Sequence, residues 1–404
     1  MVHHIGTKKE SEERKAVARM LIWSSPPWSH SAFGKNSLNL ASRLRESKHE
    51  VAIFAFTGLR FGTIEYKGIT VFPNNAPDHG ETYLPIWCDY YKPDVVIQHF
   101  DLWSITENYL SNMKDKLPPI YCYPPIDHDP LPPPLARALQ GATKVIAMTK
   151  FAQNKLNEVD IKSVYIPHAV DTDIYFPGDR TEARKKMNLP EDCFIFLSVA
   201  TNKGIRKNLG NMLLAYRKFL DAMPEAKKDS ILYLHTYIHR DTINPNGYEI
   251  LDICNYLGIT DNVKYTDPEF YRSVGYTEEE MRSLYQAADW SILCSLGEGF
   301  CLPLIESLAC STPAIFSNFT ALPEVVGPGG LPVEAIESLP LEISNSFQFI
   351  PSTQQITKRM IEAHSDWELH NSKLRDELGA RGMQHVLDNY DYDVVMPKWL
   401  ELLK

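Results

Sequence analysis

The sequence contains no uninterrupted apolar run of the roughly 18 to 20 residues that a membrane-spanning helix needs. Its N-terminus lacks the apolar core of a signal peptide. Its seven cysteines include no C-x-x-C pair, which argues against a zinc site, and their odd number indicates free thiols. Together these absences predict a cytoplasmic protein in a reducing compartment, with at most weak peripheral contact to a membrane.

The sequence also lacks the excess of basic residues that binding to nucleic acid requires. Its 51 acidic and 41 basic residues give a formal net charge of -10, so we expect no nucleic-acid partner. Hydrophobic residues make up 44% of the chain and charged residues 23%, which is ordinary for a soluble globular protein. A chain of 404 residues is too long for one typical core and predicts two domains.

One stretch of the sequence is the most informative about the fold, because it contains a complete β-loop-α-β pattern. The apolar run Trp290–Cys294 predicts a strand buried on both faces. Gly297 and Gly299 permit the turn that must follow, and Pro303 suits the first position of a helix. The next strand begins at Ala314, which makes this an α/β protein.

The loop and the helix of this stretch carry two carboxylates that indicate the ligand. A helix start gathers free N–H groups and a positive dipole end, which attract an anion such as phosphate. Glu298 on the loop and Glu306 on the helix are poor phosphate ligands, but they accept hydrogen bonds from hydroxyl groups. A ligand with both phosphate and many hydroxyls is a nucleotide sugar. The alternative is a Rossmann-type helix start with two solvated glutamates.

The run G-E-G-F-C-L-P-L-I-E-S-L-A-C-S-T-P-A-I resembles the E-x7-E segment of the retaining GT-B glycosyltransferases of family 4. The resemblance implies two doubly wound, Rossmann-like α/β domains that face each other across a cleft. It also implies that Glu298 contacts the transferred hexose and that Glu306 holds the ribose. Two glycines of the family pattern are Cys301 and Ser311 here. The resemblance further implies that the backbone lines the sugar and phosphate pocket at Gly299, Phe300, Cys301 and Leu302.

The N-terminal half repeats the order of strand, glycine-bearing loop, helix and strand. Met20–Trp23 predicts the first strand and His49–Phe54 the second, with a helix between them. The loop around Gly34 resembles the glycine loop that family members set against the donor phosphates or the acceptor. The alternative is a rigid turn without a binding role.

Several polar residues follow predicted strands of this first domain, at the edge where open α/β sheets place their ligands. His99 and Asp101 end one strand, and a proline-rich segment follows the next. Many relatives keep a histidine near the reacting sugar, but that position holds Pro124 here. Asp127 or His128 is expected to serve instead, and resemblance to a subgroup with a P-x-D-x-x-P-L-P pattern favours Asp127. The alternative is a surface loop whose aspartate caps a turn.

A basic loop follows the first predicted strand of the second domain, Phe194–Val199. Family members present an arginine and a lysine to the pyrophosphate here, which implies that role for Arg206 and Lys207. Guanidinium and ammonium groups neutralise phosphate charge, so their chemistry fits. Lys203 competes for one of the two roles, and a solvated basic loop is the alternative.

The domain boundaries rest on composition and on the same resemblance. Residues 1–18 are predicted to be a leader or disordered, and 19–177 to form a Rossmann-like acceptor domain. Residues 178–385 are predicted to form the Rossmann-like donor domain, after the Y-I-P-H-A-V-D-T-D-I-Y-F-P-G segment that resembles a family signature. A helix at about 386–404 is expected to return to the first domain.

The predicted function is retaining, metal-independent transfer of a hexose from a nucleotide diphospho-sugar to a glycan, lipid-linked or protein-linked acceptor. The donor is a co-substrate, so no cofactor and no metal are expected. UDP-glucose and GDP-mannose are both open as donors. The alternatives are a non-catalytic two-lobed protein that binds sugars or nucleotide sugars, and a GT-B phosphorylase or epimerase. No sequence context for a pyridoxal phosphate lysine is recognisable.

Overall fold

The first of two parallel sheets is built from the N-terminal half of the chain. The computed structural model describes residues 17–29, 31–240, 245–342 and 344–404. The eight strands of this sheet are β1 (Arg19–Ser24), β2 (Glu50–Ala55), β3 (Ile64–Tyr66), β4 (Ile69–Phe72), β5 (Val95–His99), β6 (Ile120–Cys122), β7 (Lys144–Ala147) and β8 (Ser163–Tyr165). Their order is β3-β4-β2-β1-β5-β6-β7-β8, and all neighbours are parallel except β3 and β4.

Helices connect these strands. They are α1 (Ala32–Glu46), α2 (Leu84–Tyr91), α3 (Tyr109–Met113), α4 (Pro133–Leu139) and α5 (Lys150–Asn157), with a 3-10 helix at Leu102–Ser104. The strand order reverses direction at β1, so β2 and β5 lie on opposite sides of it. This is the doubly wound arrangement, and a crevice opens at the carboxyl ends of the strands where the order reverses.

The second sheet repeats the arrangement with six parallel strands in the order β11-β10-β9-β12-β13-β14. They are β9 (Phe194–Val199), β10 (Ser230–His235), β11 (Val263–Tyr265), β12 (Trp290–Leu293), β13 (Ala314–Ser317) and β14 (Gly330–Val333). The helices are α6 (Arg180–Lys186), α7 (Leu209–Ala222), α8 (Ala226–Asp229), α9 (Ile250–Leu257), α10 (Pro268–Ser273), α11 (Glu278–Ala287), α12 (Leu302–Ala309) and α13 (Leu322–Val326), with 3-10 helices at Ile205–Lys207 and Thr260–Asn262. The predicted α/β class and its two doubly wound sheets are confirmed.

The strands lie between helical layers, as their sequences indicate. Met20 and Ile22 of β1 belong to one hydrophobic cluster, and Leu21 and Trp23 belong to another. All four side chains are fully buried. Successive residues of a strand point to opposite faces, so both faces of this sheet are covered. The first cluster continues into the second sheet, where it includes Trp290.

A hairpin that the sequence did not predict joins the two halves of the chain. It consists of the antiparallel strands β15 (Ala335–Leu341) and β16 (Ser346–Pro351). Phe347 exchanges two backbone hydrogen bonds with Asp129 of the first half, at 3.1 and 3.2 Å. Phe349 donates to Leu296 O of the second half at 2.9 Å. The hairpin therefore holds the segment after β6 against the segment after β12.

Three helices end the chain: α14 (Thr353–His370), α15 (Lys373–Asn389) and α16 (Tyr392–Leu402). The ring of Trp399 in α16 packs edge-on against Tyr123, with ring centres 5.3 Å apart. Lys144 of β7 donates to Leu402 O at 3.3 Å. The last helix thus packs against the first sheet. None of the described helices combines the length and the apolar character that crossing a bilayer requires.

Both positions at which a family glycine is replaced adopt backbone angles that glycine favours. Cys301 has φ +99° and Ser311 has φ +58°. Side chains other than glycine are strained in this region, and Ser311 follows α12 where helices often end on a left-handed glycine. We expect Ser311→Gly to raise the free energy of unfolding by about 1 kcal/mol.

Denaturant titration of the purified variant measures this effect. Ser47→Gly is the matched control, because Ser47 also follows a helix but has φ -79° and bonds to Arg43 O. The control is expected to lower stability slightly. A stability for Ser311→Gly at or below that of the parent protein would contradict the strain argument.

Candidate functional site

The candidate site lies where the carboxyl ends of strands from both sheets meet. The loop after β12 carries Glu298, and the loop after β9 carries Arg206 and Lys207. From the other sheet, Asp101 follows β5 and Asp127 follows β6. Open α/β sheets place their ligands at this edge, so both halves present functional groups to one region.

Glu298 binds both cations that the sequence assigned to the pyrophosphate. Its carboxylate accepts from Lys207 Nζ at 2.6 Å and from Arg206 Nη1 at 3.2 Å. Glu298 is only 5% exposed. Burial alone would raise the pKa of Glu298, but the charges of Lys207 and Arg206 outweigh it and hold the pKa below its usual value. The carboxylate is therefore ionised at neutral pH.

The basic loop is packed and not merely solvated. The side chain of Lys207 is 13% exposed and that of Arg206 is 33% exposed. Arg206 Nη1 also donates to Gly297 O at 3.0 Å. Burial lowers the pKa of the Arg206 guanidinium, but Glu298, Asp127 and Asp101 raise it above its usual value. The alternative interpretation of a solvated loop does not fit these contacts.

Asp127 joins this cluster from the first half of the chain. Its carboxylate lies 3.7 Å from Arg206 Nη1 and 2.5 Å from Nδ1 of His128. Burial would raise the pKa of Asp127, but His128, Arg206 and Lys207 lower it. The sequence left open whether Asp127 or His128 serves at the site. The structure brings both together, with Asp127 beside Arg206.

Two glycines allow the loop of Asp127 to touch the loop of Glu298. A Cβ atom on Gly297 would lie 2.3 Å from Asp127 O, and one on Gly299 would lie 2.5 Å from Pro125 Cβ. The first contact is to backbone, so a side chain at Gly297 forces the loops apart. The glycines thus let the two halves approach closely, in addition to shaping the turn.

We expect Gly297→Ala to lower the free energy of unfolding by about 1–3 kcal/mol, the range for an overpacked site. It should also lower the turnover of the predicted glycosyl transfer. Thermal unfolding and initial-rate measurements on one preparation test this. Gly62→Ala is the control, because a Cβ there meets nothing within 4 Å. An unchanged unfolding midpoint for Gly297→Ala would show that the loops can separate freely.

Glu306 has partners that the sequence did not indicate. It accepts from Lys35 Nζ of α1 at 2.5 Å and from the Tyr285 hydroxyl at 2.9 Å. Lys35 also donates to the Tyr175 hydroxyl at 2.7 Å and lies 3.1 Å from Glu278. Burial lowers the pKa of Lys35, but Glu306, Tyr175 and Glu278 outweigh burial and raise it well above its usual value. The second glutamate of the motif is therefore ion-paired to the opposite half.

Gly34, which the sequence predicts to lie in the glycine-bearing loop after β1, lies in the first turn of α1. Its N–H donates to the Ser31 hydroxyl at 3.2 Å. A Cβ there would lie 2.5 Å from Pro26 O. A glycine is required at this position because the preceding turn packs against the helix. The next residue, Lys35, is the one whose side chain reaches the site, where it bonds to Glu306.

The residues between the two glutamates adopt a sharp turn into α12. Cys301 precedes the helix with left-handed backbone angles, and Leu302 is its first residue. Phe300 is 4% exposed, and its ring packs edge-on against His168 and Tyr390 at 5.0 and 5.5 Å. The side chains of this segment serve packing, which leaves its backbone as the part that can face a ligand.

Asp101 was noted only for its place at the end of a strand. Burial and the charge of Asp127 raise the pKa of Asp101 to about 6, while Arg206 and Lys203 act in the opposite direction. The charges that act on Asp101 thus include Asp127 and Arg206, which also act on one another beside Glu298. The position of Asp101 in the sequence could not indicate these neighbours, because they come from other strands and loops.

Within the described residues, one set of side chains could hold a metal ion: Asp229, His364 and Glu368. His364 directs Nε2 toward Asp229 at 3.2 Å and Nδ1 toward Glu368 at 3.7 Å. One imidazole thus lies between two carboxylates, and one ligand atom from each of the three residues lies within 4.8 Å of the others. None of these residues contacts Glu298, and the absence of a metal from the reaction stays a prediction.

Part of the second sheet and its helices resembles a known family. Residues 264–382 match the model of the family described as glycosyl transferases group 1. The match includes both Glu298 and Glu306. The resemblance to group 1 GT-B glycosyltransferases that was drawn from the motif is confirmed.

Curated relatives match over part of their length. An O-antigen chain mannosyltransferase B of Escherichia coli is 35% identical over 107 residues, which are 24% of this chain and 28% of that protein. An MMP alpha-(1->4)-mannosyltransferase of Mycolicibacterium hassiacum is 41% identical over 88 residues, 22% of this chain and 20% of that protein. A D-inositol 3-phosphate glycosyltransferase of Thermobifida fusca is 25% identical over 219 residues, 54% of this chain and 44% of that protein. The matches thus span less than half of these relatives.

Solved structures match over nearly the whole chain. A sucrose-phosphate synthase from Thermosynechococcus elongatus has a TM-score of 0.75 at 18% identity, and the match covers 96% of this chain and 98% of that one. HepE of Anabaena, solved in complex with UDP-glucose, has a TM-score of 0.70 at 14% identity and coverage of 96% and 99%. At identities this low, such matches establish the fold alone. The predicted GT-B architecture is confirmed by their TM-scores and coverage.

Proposed function

We propose that this chain, whose residues 264–382 carry the group 1 glycosyltransferase segment within a GT-B fold, transfers a hexose with retention from a nucleoside diphospho-sugar. The acceptor is a carbohydrate, a lipid-linked sugar or a protein. One observation carries the proposal: the buried Glu298 lies between Arg206 and Lys207 and beside Asp127 of the opposite half. The site therefore combines carboxylates, which can bind hydroxyl groups of a ligand, with cationic side chains, which can bind its phosphates.

The donor sites follow from the contacts of the two glutamates. Arg206 and Lys207 bind the pyrophosphate, and Glu298 accepts hydrogen bonds from hydroxyls of the hexose. The backbone from Gly299 to Leu302 lines the pocket between these groups. Glu306 accepts from the ribose hydroxyls, which then share it with Lys35 or displace that lysine. Gly34 begins α1, where its N–H donates to the hydroxyl of the capping residue Ser31, and its role in donor binding stays a prediction.

The proposed chemistry depends on charge at the leaving group. The bond between the anomeric carbon and the phosphate oxygen breaks, and negative charge grows on the departing diphosphate. Arg206 and Lys207 stabilise that charge in place of a metal ion. The acceptor oxygen forms the new bond on the same face, and its proton passes to an oxygen of the leaving phosphate. Asp127 positions the sugar and does not act as a nucleophile.

The relatives narrow the choice of donor. UDP-glucose and GDP-mannose both fit a site of this kind, and HepE was solved with UDP-glucose. Two of the curated relatives are mannosyltransferases whose matching segments are 35% and 41% identical to this chain. They favour a mannosyl donor.

A thermal-shift panel of UDP, GDP and ADP tests the proposal. A diphosphate that binds only the native state stabilises it by about 2.7 kcal/mol at a hundredfold excess over its Kd, so one nucleotide should raise the unfolding midpoint. The corresponding sugar donor should then release that nucleotide faster when acceptor is added. A midpoint unchanged by every nucleotide would overturn the proposal. Stabilisation without release under any condition would favour a binding protein.

A further inference from the structure

We propose that Gln348, in the middle of β16, binds a hydroxyl group of the transferred hexose beside Glu298. The inference rests on the proposed function and adds one more contact residue to its site. Gln348 is 2% exposed, and among the residues that the structure describes none forms a hydrogen bond with its side-chain carboxamide. Nearly buried polar side chains normally have a partner, so a bound ligand is the partner that this one lacks.

Backbone hydrogen bonds hold Gln348 where the two halves of the chain meet. Its neighbours in β16 bond to Asp129 of the first half and to Leu296 of the second half. Ser346 lies two residues earlier, on the same face of the strand as Gln348, and its hydroxyl donates to Pro130 O at 2.9 Å. This face of the hairpin is therefore turned toward the loops that form the site.

The side chain of Gln348 reaches the loop that carries Glu298. Its Nε2 lies 3.4 Å from the position that a Cβ atom on Gly297 would occupy, and Asp127 O lies 2.3 Å from the same position. Gly297 is the residue before Glu298, and its carbonyl oxygen accepts from Arg206 Nη1 at 3.0 Å. The carboxamide thus lies at the contact between the loop of Asp127 and the loop of Glu298.

A carboxamide offers a kind of contact that the charged residues of the site lack. Ionised Glu298 and Asp127 only accept hydrogen bonds, whereas Arg206 and Lys207 only donate them. The carboxamide of Gln348 does both, which suits a hydroxyl group because a hydroxyl also donates and accepts. It carries no charge, so it adds nothing to the attraction of phosphate. We therefore expect Gln348 to act on the hexose and not on the diphosphate.

Calorimetry with UDP, GDP, UDP-glucose and GDP-mannose tests this contact. Gln348→Met keeps the length of the side chain and removes its hydrogen-bonding groups. It should weaken binding of whichever nucleotide sugar the parent protein binds more tightly by about three- to tenfold, the effect of one lost hydrogen bond. The affinity for the matching diphosphate should stay unchanged. Gln384→Met is the matched control, because Gln384 is exposed on α15, where it bonds to Asp388.

Gln348→Asn is the second variant. It keeps a carboxamide but shortens the side chain by one methylene, so it should weaken the nucleotide sugar in the same selective way. The proposal is overturned if a folded Gln348 variant binds the nucleotide sugar as the parent does, or if sugar and diphosphate lose affinity equally. It is also overturned if neither variant folds, since the side chain would then serve stability. A parent protein that binds none of the four nucleotides would refute the proposed function itself.

Discussion

Replacing Arg206 with alanine is expected to lower the turnover of glycosyl transfer by about 10²–10³-fold, the loss seen when one preorganised donor to a developing oxyanion is removed. Arg206 is bonded to Glu298 and lies 3.7 Å from Asp127. In the proposed mechanism its charge acts on the leaving diphosphate beside the buried Glu298, where water screens it less than at the open surface. Lys207→Ala is expected to give a loss of similar size.

Initial rates of nucleotide release at saturating donor measure this loss. Arg217→Ala is the control, because Arg217 forms an exposed ion pair with Asp221 on α7 and should turn over normally. Circular dichroism of each variant checks that the fold is intact. Near-normal turnover in both Arg206→Ala and Lys207→Ala would refute their assignment to the pyrophosphate.

One substitution separates the two possible roles of Glu298. Glu298→Gln removes the charge that both cations bind, so Arg206 and Lys207 lose their partner. If Glu298 serves only to hold the cations, the affinity for nucleoside diphosphate should rise while turnover changes little. If it also binds the hexose, turnover should fall although the diphosphate binds more tightly. Calorimetry with the diphosphate and rate measurements distinguish these results.

Local patterns made much of the site predictable from sequence. The strand, turn and helix around Glu298 and Glu306 follow from an apolar run, two glycines and a proline within 20 residues. The capping box of Thr277 and Glu280 at the start of α11 likewise joins residues that are three positions apart in the chain. These features depend on neighbours in the chain, so periodicity and composition reveal them.

Contacts between distant parts of the chain could not be predicted in this way. Lys35 and Glu306 are 271 residues apart, and their pairing depends on how the two halves pack. Nothing in the sequence indicates that the backbone of Asp127 packs against Gly297, because a glycine after a strand already suits a turn. The raised pKa of Asp101 likewise requires partners from other elements. Such positions become visible only when the sheets are placed together.

The largest effect on stability is expected at Asp289, which lies just before β12. Its side chain is 1% exposed and is paired with Arg180 and Arg184, each at 2.7 Å. It also accepts the N–H of Ile195 at 2.7 Å. Asp289→Asn removes the charge but keeps the shape, so it leaves the buried Arg184 without an ionic partner. Loss of one member of a buried pair lowers the free energy of unfolding by about 3–5 kcal/mol.

Urea unfolding followed by tryptophan fluorescence measures the change at Asp289. Trp290 is the next residue in the chain and is fully buried, so its signal reports on this part of the second sheet. Asp221→Asn is the matched control, since its pair with Arg217 is exposed and screened by water. The two variants lose the same charge, so a large difference between them isolates the effect of burial. Equal shifts would mean that solvent reaches Asp289 in the native protein and that α6 does not depend on this pair for its attachment to the second sheet.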